Sequence, residues 1–142
     1  MNFTLVFKAP QGLLRCVVLA YASKYPVTGA ELAADVRAKT GGLWDPSPGS
    51  VYFLMNELKD KGLLVMMSDS GPGRKAYITT DAGRSELAKT SRSVISGLQR
   101  EVTLLALVVS MVDPANSARV EVLKSVLKAD ADRIARLEQQ LG

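Results

Sequence analysis

Pro46-Ser47-Pro48-Gly49 is the stretch that most restricts this chain. A helix cannot run through it, because each proline lacks an amide hydrogen and disfavours α geometry in the residue before it. Ser47 followed by Pro48 is instead a helix start: the serine oxygen can accept from unpaired amides, and proline at the first helical position loses no hydrogen bond. Val51, Leu54, Met55 and Leu58 then form an apolar stripe at helical spacing, and Gly62 closes the segment. The chain is thereby committed to a short helix near its middle, set off from what precedes it by a turn containing Trp44.

The flanking residues are divided in the same way. Pro10-Gln11-Gly12 is a turn, and Leu13, Leu14, Val17, Val18 and Ala22 predict a first helix to about Ser23, stopped by Tyr25-Pro26. Cys16 lies among these apolar residues and is expected to be an inert buried thiol. Thr28 and Glu31 have capping-box spacing and open a second helix with Leu32, Ala33 and Val36 inward, ended by Gly41-Gly42. Beyond Gly62 the pattern changes. Residues 63–68 are a continuous run suited to a strand, Asp69-Ser70-Gly71-Pro72-Gly73 is a turn, and residues 75–79 alternate. They predict a hairpin with Arg74 and Lys75 at its tip, after which Thr80 or Asp81 caps another helix.

Three short helices followed by a hairpin is the order of a winged helix-turn-helix, in which the third helix enters a major groove and the hairpin lies along the neighbouring backbone. The predicted fold class is therefore mostly α with a small β-hairpin, as a winged helix-turn-helix DNA-binding domain over residues 1–80. Residues 81–142 are expected to form linker and dimerisation helices. There Leu98, Val102, Leu105, Val109 and Val112 alternate spacings of four and three, as a coiled-coil seam does. Asp113-Pro114 breaks the helix and restarts it, and Val120, Leu123, Leu127, Ile134, Leu137 and Leu141 continue the rhythm. Exposed on a monomer, such seams signal an interface, so a homodimer is expected.

Composition removes most other classes. With no histidine and one cysteine in 142 residues, the chain has no His-based triad, no internal disulfide and no thiolate metal cage. No catalytic constellation, metal site or cofactor is expected, and the chain is read as not an enzyme. The single cysteine suits a reducing cytoplasm. Met1 to Phe7 is apolar but short, and Val102 to Val112 is about half of a bilayer span, so neither a signal peptide nor a membrane partner is expected. The net charge of +4 permits a polyanionic partner without demanding one.

Several motifs resemble those of PadR-type transcriptional regulators. Ser47-Pro48-Gly49-Ser50-Val51-Tyr52-Phe53-Leu54, running through Leu58 to Gly62-Leu63, is similar to the family's recognition helix. Gly29 with Glu31-Leu32 matches the start of its second helix, Gly71-Pro72-Gly73-Arg74-Lys75 its wing tip, and Tyr77, Thr80 and Gly83 its Tyr-x-x-Thr-x-x-Gly. Ala30 departs from the usual Tyr and Lys59 from the usual Glu, so an operator preference does not carry over. The resemblance covers about residues 11–90. It implies a homodimeric DNA-binding protein, usually a repressor, dimerised by C-terminal helices and sometimes relieved by a small hydrophobic ligand.

Candidate DNA contacts follow. Ser47 and Ser50 can donate to phosphates or base edges, and the first turn over Pro48, Gly49 and Ser50, to which the proline itself adds no amide hydrogen, forms a helix end that favours anions. Tyr52 and Phe53 can meet a thymine methyl and Asn56 an adenine edge. Arg74 and Lys75 would neutralise phosphates. Thr28, chiefly a cap, and Lys59 are weaker candidates. The partner so defined is double-stranded DNA carrying a near-palindromic operator. The competing readings are a sequence-independent architectural DNA-binding protein and a winged-helix module that uses its third helix to bind protein.

Overall fold

The computed structural model describes residues 9–67 and 71–141, with side chains of the last helix described through Arg133 and at Arg136. The expectations placed on Met1 to Phe7, on Ser68 to Ser70 of the hairpin turn, and on the side chains of Ile134, Leu137 and Leu141 lie outside the described residues. The order is α1 (Leu13–Lys24), α2 (Gly29–Lys39), α3 (Pro48–Asp60), β1 (Leu64–Met66), β2 (Tyr77–Thr79), α4 (Asp81–Val112), a 3-10 turn (Pro114–Asn116) and α5 (Ser117–Leu141). This is the mostly helical fold with one small hairpin that the breakers dictate. Contacts group the chain into Met1–Leu87 and Ala88–Gly142.

In the first unit, local chemistry sets the helix starts. Thr28 Oγ1 accepts from the Glu31 amide while the Glu31 carboxylate accepts from the Thr28 amide, each at 3.1 Å, completing the capping box. Ser47 Oγ accepts from the Ser50 amide at 3.1 Å and Pro48 takes the first helical position. Thr80, and not Asp81, supplies the side-chain cap of α4, its Oγ1 accepting from the Gly83 amide at 3.1 Å.

The strands pair antiparallel with Leu64 opposite Thr79 and Met66 opposite Tyr77. Val27 bridges Tyr77 on the hairpin's other side, adding one residue of a third strand. Both strands are shorter than the sequence suggests: β1 begins at Leu64 and ends at Met66, and Val65 and Met66 are exposed. An apolar run is no guide to strand length where nothing covers one face.

One core joins these elements. Val18 and Leu19 of α1, Leu32 of α2, and Val51, Met55 and Leu58 of α3 are fully buried, with Leu64 and Tyr77 of the hairpin against them. Trp44, Leu54, Leu63 and Leu87 pack on its rim. Truncating a side chain such as Leu32 or Leu58 to alanine removes about 2–5 kcal/mol at sites of this kind. Thr79 Oγ1 donates to the Leu19 carbonyl at 2.8 Å, satisfying a buried hydroxyl and fastening the hairpin to α1. Cys16 is half-buried, less enclosed than its apolar neighbours suggest.

The second unit contains most of α4, the turn at Pro114 and α5. Asp113-Pro114 interrupts the helical run at the residues where the sequence breaks it. Much of its apolar surface is uncovered. Leu105, Val112 and Leu123 of the expected seam are exposed, and so are Leu104, Leu107, Val108, Met111, Val122 and Val126 outside it. Leu98, Val102, Val109, Val120 and Leu127 are half-buried. The apolar surface is thus broader than a two-residue seam. By length and composition alone α4 could cross a membrane, its most apolar 18 residues averaging a hydropathy of 1.4. That window is longer than the stretch from Val102 to Val112.

Candidate nucleic-acid interface

The face of α3 turned away from the core presents Gly49, Ser50, Phe53, Asn56 and Asp60, all exposed. Phe53 is 75% exposed, far more than an aromatic ring with a packing role. At the helix start Ser47 Oγ donates to Ser50 Oγ at 2.8 Å. The two candidate serines therefore form one capped corner, in which Pro48 brings no amide hydrogen and the Ser50 amide is already taken by Ser47 Oγ.

Tyr52 and Phe53 are adjacent in sequence but differ in role. Tyr52 is half-buried with its ring against Gly29, where a Cβ would stand 3.0 Å from three ring atoms. Tyr52 therefore seats α3 on the start of α2, and Gly29 is required to be small. Asn56 is exposed, yet its Oδ1 accepts from the buried Tyr77 hydroxyl at 3.3 Å. Burial is the main reason that hydroxyl's pKa is raised, with the charges of Tyr52 and Asp60 adding to it. Tyr77 stays neutral and able to donate.

Other expected contacts are placed as follows. Thr28 is buried and its hydroxyl is used in the cap, so it builds the start of α2 and shows no hydroxyl at the surface. Lys59 is half-buried, and Lys61 is paired with Glu57 at 3.0 Å. In the wing, Gly71 and Gly73 have φ of 93° and 74°, backbone that only glycine adopts without strain. Lys75 is exposed. Arg74 is engaged: Nε and Nη2 donate to Glu31 Oε1 at 3.1 and 2.9 Å. The Glu31 carboxyl is held below its ordinary pKa, first by the Thr28 amide and then by Arg74.

A second polar group has almost no signature in the sequence. Tyr21 donates to Asp35 Oδ2 in a short hydrogen bond, and Lys39 Nζ stands 2.9 Å from that carboxylate, 3.0 Å from the Tyr21 oxygen and 5.0 Å from the ring centroid. Its only sequence signal is the i, i+4 spacing of Asp35 and Lys39. In the second unit a cleft of about 460 Å³ lies between α4 and α5. Its walls include Gln99, Thr103, Glu121, Lys124, Lys128 and Ala131, and apolar surface makes up most of the exposed lining. Among the described residues no cluster of three or more metal-ligating side chains occurs.

A capped recognition-type helix seated on α2, with a hairpin behind it, defines a winged helix-turn-helix protein. Residues 18–89 match the model of the transcriptional regulator PadR-like family, and the chain belongs to that family. It is 30% identical over 83 residues to the transcriptional regulator YqjI of Escherichia coli K12, a stretch of 58% of this chain and 40% of that protein. The chain thus spans well under half the length of the curated relatives it matches. Among solved structures it resembles TA0346 of Thermoplasma acidophilum, with a TM-score of 0.52 and 29% identity over 72% of this chain and 93% of that one. It is similar also to a PadR-like transcriptional regulator of Bacillus cereus (TM-score 0.52, 28% identity, 67% of this chain and 92% of that one). Members of this family are transcriptional regulators and not enzymes.

Proposed function

We propose that this chain is a cytoplasmic, homodimeric repressor that binds a near-palindromic DNA operator through α3. The observation carrying this reading is the outward face of α3: a capped N-terminal corner at Ser47 and Ser50 followed by an uncovered Phe53. A helix with that face is shaped for a major groove, which admits one α-helix. Lys75, on the wing, supplies a phosphate contact, and Arg74 joins it on releasing Glu31. Residues 1–80 act as the DNA-binding domain and residues 81–142 as linker and dimerisation helices. The exposed apolar residues of α4 and α5 are covered by a second copy, which sets two α3 helices about 34 Å apart on one face of the duplex. Bound there, the dimer blocks polymerase.

A small hydrophobic effector would relieve repression by changing the angle of the C-terminal helices. The cleft between α4 and α5, mostly apolar in its exposed surface with polar side chains around it, is one place for such a ligand, and the apolar dimer face is another. An operator affinity that no apolar ligand alters ends that part of the proposal.

Selection of bound sequences from a random duplex pool by the full chain, followed by competition, tests the whole. A specific regulator prefers its selected site over random duplex by about a thousandfold or more. Tight binding without preference would show an architectural DNA-binding protein, and absence of DNA binding would show a protein-interaction module.

A further inference from the structure

We infer that Phe53 and Asn56 together form a thymine reader, and that base recognition by α3 rests on the thymine 5-methyl group and not on guanine. This deepens the reading of α3 as the groove-inserted helix and rests on it. The outward positions of α3 carry Ser50, Phe53, Asn56 and Asp60, with neither arginine nor lysine among them. The commonest guanine contact, a bidentate cation on O6 and N7, therefore has no donor on this face. Asp60 adds a negative charge that disfavours the acceptor-rich guanine edge.

Asn56 is restricted further by its partner. The Tyr77 hydroxyl, inside the core, donates to Asn56 Oδ1 at 3.3 Å. That bond draws the oxygen toward Tyr77 and leaves Nδ2 as the end of this exposed amide available to a base. A bidentate adenine contact needs the oxygen to accept from N6 and the nitrogen to donate to N7. With its oxygen drawn toward Tyr77 and one lone pair taken, Asn56 is better placed to offer its Nδ2 donors than to make the bidentate adenine contact. One turn earlier on the same face, Phe53 presents an uncovered apolar ring.

A donor beside an apolar surface matches one base in the major groove. Thymine alone offers both an acceptor, O4, and a methyl group; cytosine offers a donor and no methyl, and the purines have no methyl. Tyr77 acts as a positioning residue, since it fixes which end of the Asn56 amide faces outward.

The test uses operator duplexes selected by the full chain, with each thymine replaced singly by deoxyuridine, which removes the methyl group and keeps every hydrogen-bonding group. At one position per half-site the wild-type protein loses affinity by about fourfold, the transfer value of one buried methyl group. Phe53→Ala binds thymine and uracil duplexes equally, and Phe53→Leu keeps the preference. Uniform tolerance of uracil by the wild-type protein, or a preference that survives in Phe53→Ala, overturns the thymine reader while leaving DNA binding by α3 intact. If no duplex is selected at all, the reading of α3 fails and this inference with it.

Discussion

The Glu31 carboxylate serves Thr28 and Arg74 at once: it accepts the Thr28 amide at 3.1 Å and the Arg74 guanidinium at 2.9 Å. One side chain thus caps α2 and anchors the wing, 43 residues away in sequence. The ion pair is partly exposed, so solvent screening limits it to about 0.2–1 kcal/mol. The cap is worth about 1 kcal/mol more. Glu31→Gln keeps a capping oxygen and loses the charge, so it lowers stability by about 0.5 kcal/mol, whereas Glu31→Ala loses both and costs about 1–2 kcal/mol. Urea unfolding of the two variants beside the wild type measures the difference; equal midpoints would mean that Arg74 draws nothing from the charge.

The same carboxylate gives a pH dependence of known sign. Its folded pKa lies below the ordinary 4.5. Its contribution is complete above that value and disappears as pH falls through the lower folded one, because the unfolded chain takes up the proton first. Acid unfolding followed from pH 6 downward shows wild type and Glu31→Gln converging as pH falls below the ordinary 4.5 and through the lower folded value. Curves that stay parallel to pH 2 would place the effect elsewhere.

Gly83 allows the hairpin and α4 to approach. A Cβ there would stand 2.1 Å from the Leu63 carbonyl oxygen and 2.6 Å from Thr79 Cγ2. The first of these is backbone, held also by the Thr80 amide at 3.1 Å, and it cannot swing aside. Gly83→Ala therefore destabilises the first unit by about 2 kcal/mol or more, as overpacking does. Gly97 provides the contrast, since a Cβ at that helical position meets nothing within 4 Å. Gly97→Ala raises stability by about 0.5–1 kcal/mol through helix propensity alone. Thermal melts of both variants give the comparison, and a destabilised Gly97→Ala would reveal a role for flexibility at that point of α4.

What the sequence discloses and what it hides divide by range. The starts of α2 and α3 are legible because Thr28 with Glu31, and Ser47 with Pro48, act within one turn of chain. From sequence Arg74 belongs to phosphate, because its spacing from Glu31 carries no signal; only the folded wing brings them together. Asn56 suits an adenine edge on the same footing, since Tyr77 reaches it across 21 residues. Tyr52 and Phe53 look alike in the chain, and it is the Gly29 contact that separates the packed ring from the exposed one. In the tail, the three-four rhythm picks out Leu105 and Val112 but passes over Leu104, Leu107, Val108 and Met111, which periodicity counts as off the seam.

On the proposed reading, wing charge contributes to the salt dependence of DNA binding. Removing one phosphate contact flattens the slope of log affinity against log salt by about one unit, so Lys75→Ala in a dimer flattens it by about two. Arg74→Ala costs less affinity, because Arg74 must give up Glu31 before it can reach a phosphate. Titrations between 50 and 200 mM salt, over which a slope change of two units alters affinity about sixteenfold, separate the two. Unchanged slopes in both variants would remove the wing from the interface.

The apolar surface of α4 supplies the last expectation. Leu104 is 62% exposed and Met111, two turns further along the same helical face, is 75% exposed. A patch of this kind on a soluble monomer is a liability that a second copy removes. Placing a charge inside such a contact leaves it buried and unpaired, at a cost of several kcal/mol per ion. Leu104→Glu with Met111→Glu therefore converts a dimer into monomers at micromolar concentration in sedimentation velocity, while the first unit, whose core lies in α1 to α3 and the hairpin, keeps its fold. If, as proposed, a dimer sets two α3 helices on one duplex, the same double variant loses operator affinity far more than either wing substitution does. A wild-type chain that sediments as a monomer, or a double variant that stays paired, would show that this face is not the dimer contact.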